Sequence, residues 1–159
     1  MVATFYIDGQ SVGNEQVALP RRARIAIAIR SELAGQGPTT LIVSEDIGDH
    51  TNNEAEYHAL LRLLSLLSTK IVGETAPPAS GVRICSDSEV LVKQLSGEYK
   101  VREERLRKLR ESARETMDNI GWVRLEWVPR EENIAGLWLE GKIGGRRVQP
   151  EELLSKLWD

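Results

Sequence analysis

The chain predicts an α/β domain: a mixed five-stranded sheet, an antiparallel meander joined to parallel strands, with helices on both faces. Two observations carry this. Three apolar runs with short connections occupy the first 45 residues, as a meander requires. From residue 52 onward, stretches with helical apolar spacing alternate with short strand-like runs, an order that packs helices against a sheet. A length of 159 residues suits a single core, so one domain is expected over 1–159.

Residues 3–8 read as the first strand, followed by the loop S-V-G-N-E-Q-V-A-L-P. Residues 22–30, R-A-R-I-A-I-A-I-R, alternate Ile with Ala, which predicts a strand with small residues on one face. G-Q-G-P is a predicted turn and 39–45 a third strand. A helix is predicted over 52–69, because Thr51 and Glu54 form an S/T-x-x-E capping box and Leu60, Leu63, Leu64 and Leu67 share one face. After a Pro-containing loop come a buried-looking strand at 81–86 and a short helix at 88–96 ending at Gly97. A charged helix at 101–118 carries only a narrow stripe of Leu106, Leu109, Ala113 and Ile120. The fifth strand is 121–128, closed by Pro129. The remainder predicts a short helix near 132–140, a G-K-I-G-G-R-R loop and a last helix near 150–158.

Composition narrows the function. A net charge of -3 and a pI near 5.6 exclude a global basic field. Cys85 is the single cysteine, so no internal disulfide forms and a reducing, cytoplasmic setting is expected. The N-terminus has neither a basic nor a long apolar leader segment, and the apolar stretch around Leu60 to Leu67 is too short to span a bilayer. No membrane partner is expected. Basic residues cluster at Arg21, Arg22 and Arg24, and again along 100–110, where interleaved Glu103, Glu104 and Glu111 mark a solvated helix face. Trp122, Trp127, Trp138 and Trp158 read as packing residues, and His58 as a surface residue.

Three acids stand out. Asp8 ends an apolar run, Asp87 ends another, and Glu56 precedes Leu60 by four and Leu63 by seven on the apolar helix face. A carboxylate on that face is costly to bury unless it is paired or holds a metal. Taken singly, each acid has a plainer reading: Asp8-Gly9 as a turn pair, Asp87 as a helix cap, Glu56 as a solvated helix edge. Taken together, two strand ends and a helix start can converge on one sheet edge, and a divalent-metal site is expected there.

The blocks D-G-Q-S-V-G-N at 8–14, T-N-N-E-A-E-Y at 51–57, S-D-S at 86–88 and V-P-R-E-E-N at 128–133 resemble the type 1 ribonuclease H family in order and spacing. L-V-K-Q-L-S-G-E-Y-K-V-R is similar to members lacking the basic protrusion. The resemblance covers residues 3–137 and leaves 138–159 as an atypical tail. It implies an endonuclease, a hydrolase cutting the RNA strand of RNA–DNA hybrids with two Mg²⁺ ions, Mn²⁺ being a substitute. Asp8, Glu56 and Asp87 would be the catalytic, metal-binding carboxylates, with Asp8 as bridge. Gly9 and Ser11, in the loop meeting the RNA strand, and Asn14, Thr51, Asn52, Asn53 and Arg130 would touch the substrate. A monomer is expected.

The chain departs from the family at N-I-A-G-L, where Leu137 stands in place of the fourth metal-binding Asp. Glu140, one turn later, is one candidate replacement, because helical side chains lean toward the N-terminus. Glu131 and Glu132 are others, and no replacement at all is the remaining alternative. The family's loop histidine has no match. An inactive or weakened hybrid-binding or assembly module is therefore the rival reading, and a DNA-directed nuclease a third, against which the T-N-N block speaks.

Overall fold

The computed structural model describes residues 3–12, 21–33, 36–73 and 81–158. Strands β1 (Ala3–Val12), β2 (Arg22–Leu33) and β3 (Gln36–Gly48) form the antiparallel meander. Helix α1 (Asn52–Gly73) leads to β4 (Val82–Ser86), then α2 (Glu89–Ser96), α3 (Glu104–Ile120) and β5 (Val123–Trp127). A single 3₁₀ turn at Arg130–Glu132 precedes α4 (Ile134–Leu139), followed by β6 (Arg146–Arg147) and α5 (Pro150–Leu154). The sheet order is β5-β4-β1-β2-β3-β6, with β4 parallel to β1 and to β5.

The Ile/Ala alternation of β2 divides the molecule. Ile25, Ile27 and Ile29 face the main core with Phe5, Ile7, Leu41 and Val43, beneath Leu60, Leu63, Leu64 and Leu67 of α1. All four of those leucines are fully buried, each contributing roughly 1.5–3 kcal/mol. Ala26 and Ala28 face the other way, where small side chains let α4 settle on the sheet through Ile134, Ala135 and Leu139.

Several boundaries differ from expectation. The sheet has six strands, because Arg146–Arg147, inside the predicted G-K-I-G-G-R-R loop, pair with Leu41 and Ile42 on the open edge of β3. Two residues are too few to show a period. Strand β1 runs through Val12, since Gln10 and Ser11 pair with Arg24 and Ala23 despite their polarity. Gly37 and Pro38 lie inside β3 rather than in a turn, beside a register irregularity at Ser31/Leu33. Helix α1 extends to Gly73, and α3 starts at Glu104. The arginines of α3 are partly structural: Arg110 and Arg114 donate to the terminal carbonyls of Gln94 and Leu95 on α2. His58 is half-buried against His50, ring centroids 4.5 Å apart. Trp127 is exposed, its Nε1 donating to the Asp87 carbonyl at 3.2 Å. No helix among the described residues is long and apolar enough to cross a membrane.

Candidate active site

Helix α1 begins as its capping box requires: the Glu54 N–H donates to Thr51 Oγ1 and the Thr51 N–H to Glu54 Oε1, both at 3.1 Å. Its first turn then lies directly on β1. A Cβ on Gly9 would stand 2.3 Å from the Ala55 carbonyl carbon and 2.6 Å from the Glu56 nitrogen, so only glycine lets the two backbones meet. Asn52 Oδ1 accepts from the Ser11 N–H at 2.7 Å and pins the same contact. This approach swings Glu56 toward Asp8.

From the other face of the sheet comes α4. Asn133, fully buried, caps it by accepting from the N–H groups of Ala135 and Gly136. The same side chain donates to the Ile7 carbonyl at 2.9 Å and to Asp87 Oδ2 at 3.0 Å, tying the end of β4 to β1. Gly136 lies against the acids: a Cβ there would be 3.2 Å from Asp8 Oδ2 and 3.4 Å from Asp87 Oδ2.

Asp8, Glu56 and Asp87 thereby offer oxygens all within 4.8 Å of one another. Asp8 sits mid-strand, not at a strand end as expected, and neither forms a turn with Gly9 nor reaches solvent. Burial pushes its pKa up to about 6, with the Asp87 charge adding and the Gln10 amide, donating at 3.1 Å, pulling back. Burial and the adjacent Asp8 push Glu56 well above its usual range, and burial also raises Asp87, against the pull of Asn133 and Arg130. Glu56 Oε2 is buried without a hydrogen-bond partner. Two buried acids and a half-buried one, with one oxygen orphaned, lack positive charge at their centre, and a hard divalent cation with oxygen preference fits that donor set.

Asp87 does not cap α2; Ser88 does, accepting from the Leu91 N–H at 3.1 Å. Gly9 and Ser11 belong to β1 rather than to a loop, and the Ser11 hydroxyl is buried without a partner. Thr51 is half-buried, while Asn52 and Asn53 are exposed at the helix start. Asn14 lies outside the described residues. Glu140 is not part of the acid cluster. Arg130 and Lys142 both pair with it, and Lys142 foremost, then Arg130, hold its carboxyl below the usual range. Glu131 and Glu132 are exposed and also outside the cluster. Gln10, Asn133 and Gly136 were not singled out from the sequence. Gln10 was open to detection as the i+2 neighbour of Asp8 on one strand face, and Asn133 as a cap residue before I-A-G-L.

A mixed sheet with a buried acid on its central strand, joined by acids from the following helix and the neighbouring parallel strand, defines a ribonuclease H-like domain. Residues 14–139 match the family described as reverse transcriptase-like, and the chain belongs to that family. It is 29% identical over 128 residues to ribonuclease HI of Halobacterium salinarum, an alignment covering 80% of this chain and 57% of that protein. The chain thus spans just over half the length of this curated relative. The crystal structure of RNase H1 from the same halophilic archaeon superposes with a TM-score of 0.64 at 27% identity, covering 89% of this chain and 99% of that one. LC11-RNase H1 in complex with RNA/DNA hybrid gives a TM-score of 0.61 at 28% identity, covering 82% and 88%.

Proposed function

We propose that this chain, as one ribonuclease H-like unit, hydrolyses the RNA strand of RNA–DNA hybrids using divalent metal held by Asp8, Glu56 and Asp87. The observation carrying this reading is the gathering of two buried acids, Asp8 and Glu56, and the half-buried Asp87 within 4.8 Å, with Glu56 Oε2 left unpartnered. The likeness to a ribonuclease HI and to a hybrid-bound RNase H1 supports it. When bound, two Mg²⁺ ions, or Mn²⁺ in their place, would supply an activated water and charge neutralisation at the leaving oxygen. The chain's own residues do the rest. Asp8, Glu56 and Asp87 would hold the metal in their deprotonated forms. Gln10 and Asn133 orient two of them. The exposed start of α1, with Thr51, Asn52 and Asn53, presents backbone N–H groups and amides to the sugar-phosphate backbone, with Gly9, Ser11 and Asn14 adjacent in sequence on β1 and beyond. Arg130, exposed beside the acids, adds a cation for phosphate.

A second reading is favoured by one specific feature. Leu137 brings no carboxylate to the cluster, and Glu140 is already paired with Arg130 and Lys142. On that reading the domain binds hybrid and cuts it weakly or not at all. Incubating the protein with labelled hybrid, duplex DNA and duplex RNA in Mg²⁺ or Mn²⁺ tests both. The hydrolase reading expects cleavage of the RNA strand of the hybrid alone. Binding without cleavage supports the second reading, and equal cutting of duplex DNA sinks hybrid specificity.

A further inference from the structure

Strand register extends the acid site into a groove. Asp8 pairs with Ala26, Gln10 with Arg24 and Val12 with Arg22, so these side chains share one face of the sheet. That is the α4 face, since Ala26 and Ala28 pack under α4. Beyond the end of α4 the face is open: a groove of about 580 Å³ runs over Gln10, Val12, Arg22 and Arg24, walled by Asp46 and Leu139. Gln10 belongs to both sites, donating to Asp8 Oδ2 while lining the groove.

Its charge runs against that of the whole chain. The protein carries -3, yet the groove lining holds two arginines and one acid, Asp46. The arginines differ in how they are held. Arg24 lies over the Trp138 ring at 5.9 Å and donates to the Leu139 carbonyl at 3.4 Å, so its guanidinium is fixed in place. Arg147 lies over the same ring at 5.8 Å. Arg22 is exposed, and no acid among the described residues pairs with it. Arg21, by contrast, is paired with Asp49 at 3.0 Å, Arg105 with Glu54 at 3.3 Å, and Arg107 with backbone carbonyls. Residues two apart on a strand stand about 6.6 Å apart. Asp8, the Gln10/Arg24 pair and the Val12/Arg22 pair therefore step outward at the spacing of successive phosphates on a nucleic-acid strand.

We propose that this groove binds the phosphodiester backbone flanking the scissile phosphate, with Arg24 and Arg22 taking successive phosphates of the strand whose cut site lies at the acids. The proposal rests on the hybrid-hydrolase reading above. Arg24 is the fixed anchor and Arg22 the adaptable contact, while exposed Val12 gives an apolar surface for the sugar between them.

The test measures equilibrium binding of a short fluorescein-labelled RNA–DNA hybrid by the full chain, with Ca²⁺ replacing Mg²⁺ to suppress cutting, across a series of salt concentrations. Arg22→Gln should weaken binding roughly threefold and lower the slope of log K against log salt by about 0.7–0.9, and the Arg22→Gln/Arg24→Gln pair by about twice that. Arg30→Gln is the control. Arg30 is exposed on the same strand but four residues past Ala26, away from the groove, so the same change in net charge should leave the slope unaltered. Circular dichroism melts of each variant verify folding, and Arg22→Gln alone suffices if the double variant fails to fold. A slope unchanged in Arg22→Gln, or changed equally in Arg30→Gln, overturns the groove while leaving the function standing. A wild-type protein that binds no hybrid overturns the function and the groove with it.

Discussion

Two helix starts meet Asp8 from opposite faces of the sheet, and they are built alike. Helix α1 arrives with a reciprocal Thr51–Glu54 cap and α4 with the Asn133 cap. Each makes its approach at a glycine, Gly9 beneath α1 and Gly136 on α4. Only α1 delivers a carboxylate. Where α1 brings Glu56, α4 brings Gly136 and Leu137, and its nearest acid, Glu140, is turned to Arg130 and Lys142. The architecture that positions a ligand is thus present on both sides, while the ligand chemistry stands on one. Scaffold and donor are separable: caps and close approaches serve the fold's stability, whereas a donor atom serves only what it binds.

The sharpest way to break this comparison is to remove the α1 donor. Glu56→Gln should abolish hybrid cleavage, a loss on the order of 10³-fold or more, while raising the melting temperature of the metal-free protein, because a buried charge conflict disappears. Cleavage at the wild-type rate in a gel assay would show that α1 contributes no ligand.

The two glycines should differ next. Gly9→Ala forces a Cβ into the backbone of Ala55, which has nowhere to move, and should destabilise by about 3 kcal/mol or more in urea unfolding. Gly136→Ala meets only the ends of the Asp8 and Asp87 side chains, which have rotamers to yield, and should lose about 1 kcal/mol. Equal losses would mean that α4 is held as rigidly as α1.

Protonation offers a third probe. Native Asp8 keeps its proton to about pH 6, whereas the unfolded chain releases it near 3.8. Between those limits the native state binds more protons, so in EDTA stability should fall as pH rises, by about 2–3 kcal/mol from this group, and level off above. Glu56 and Asp87 are raised too and add in the same direction. With saturating Mg²⁺ the sign should reverse, because ligation requires the deprotonated acids. Thermal melts across pH with and without metal measure both slopes, and identical slopes would remove the metal site.

The smallest effect tests the α4 side. Leu137→Asp should lower the Mg²⁺ concentration giving half-maximal cleavage by about tenfold, if a donor alone is missing there. Glu140→Gln should then change little. A strong loss in Glu140→Gln, with no gain in Leu137→Asp, would show instead that Glu140 leaves Arg130 to complete the site.

Much of this was legible in the chain because local physics writes it there. The T-x-x-E box at Thr51 and the leucine face of α1 determined a helix start and the side it buries, and the Ile/Ala alternation of β2 determined a strand with small residues on one face, the face on which α4 packs. That Glu56 shares the apolar face followed from helical spacing alone. Other features have no local signature. Nothing in G-G-R-R announces a strand; β6 exists because β3 leaves backbone groups unpaired at its edge. Asp8-Gly9 reads locally as a turn, and only the arrival of α1 explains why a glycine stands mid-strand. The Asn133 bonds to Ile7 and Asp87 span 126 and 46 residues. By itself the sequence determined the types of the longer elements, the core face of α1 and the three acids as a set, since period and capping act within a few residues. The tertiary structure alone decided that those acids converge, that Glu140 is turned to cations, and that Arg22 and Arg24 line a groove leading from Asp8, because separation in space is set by strand register and helix docking.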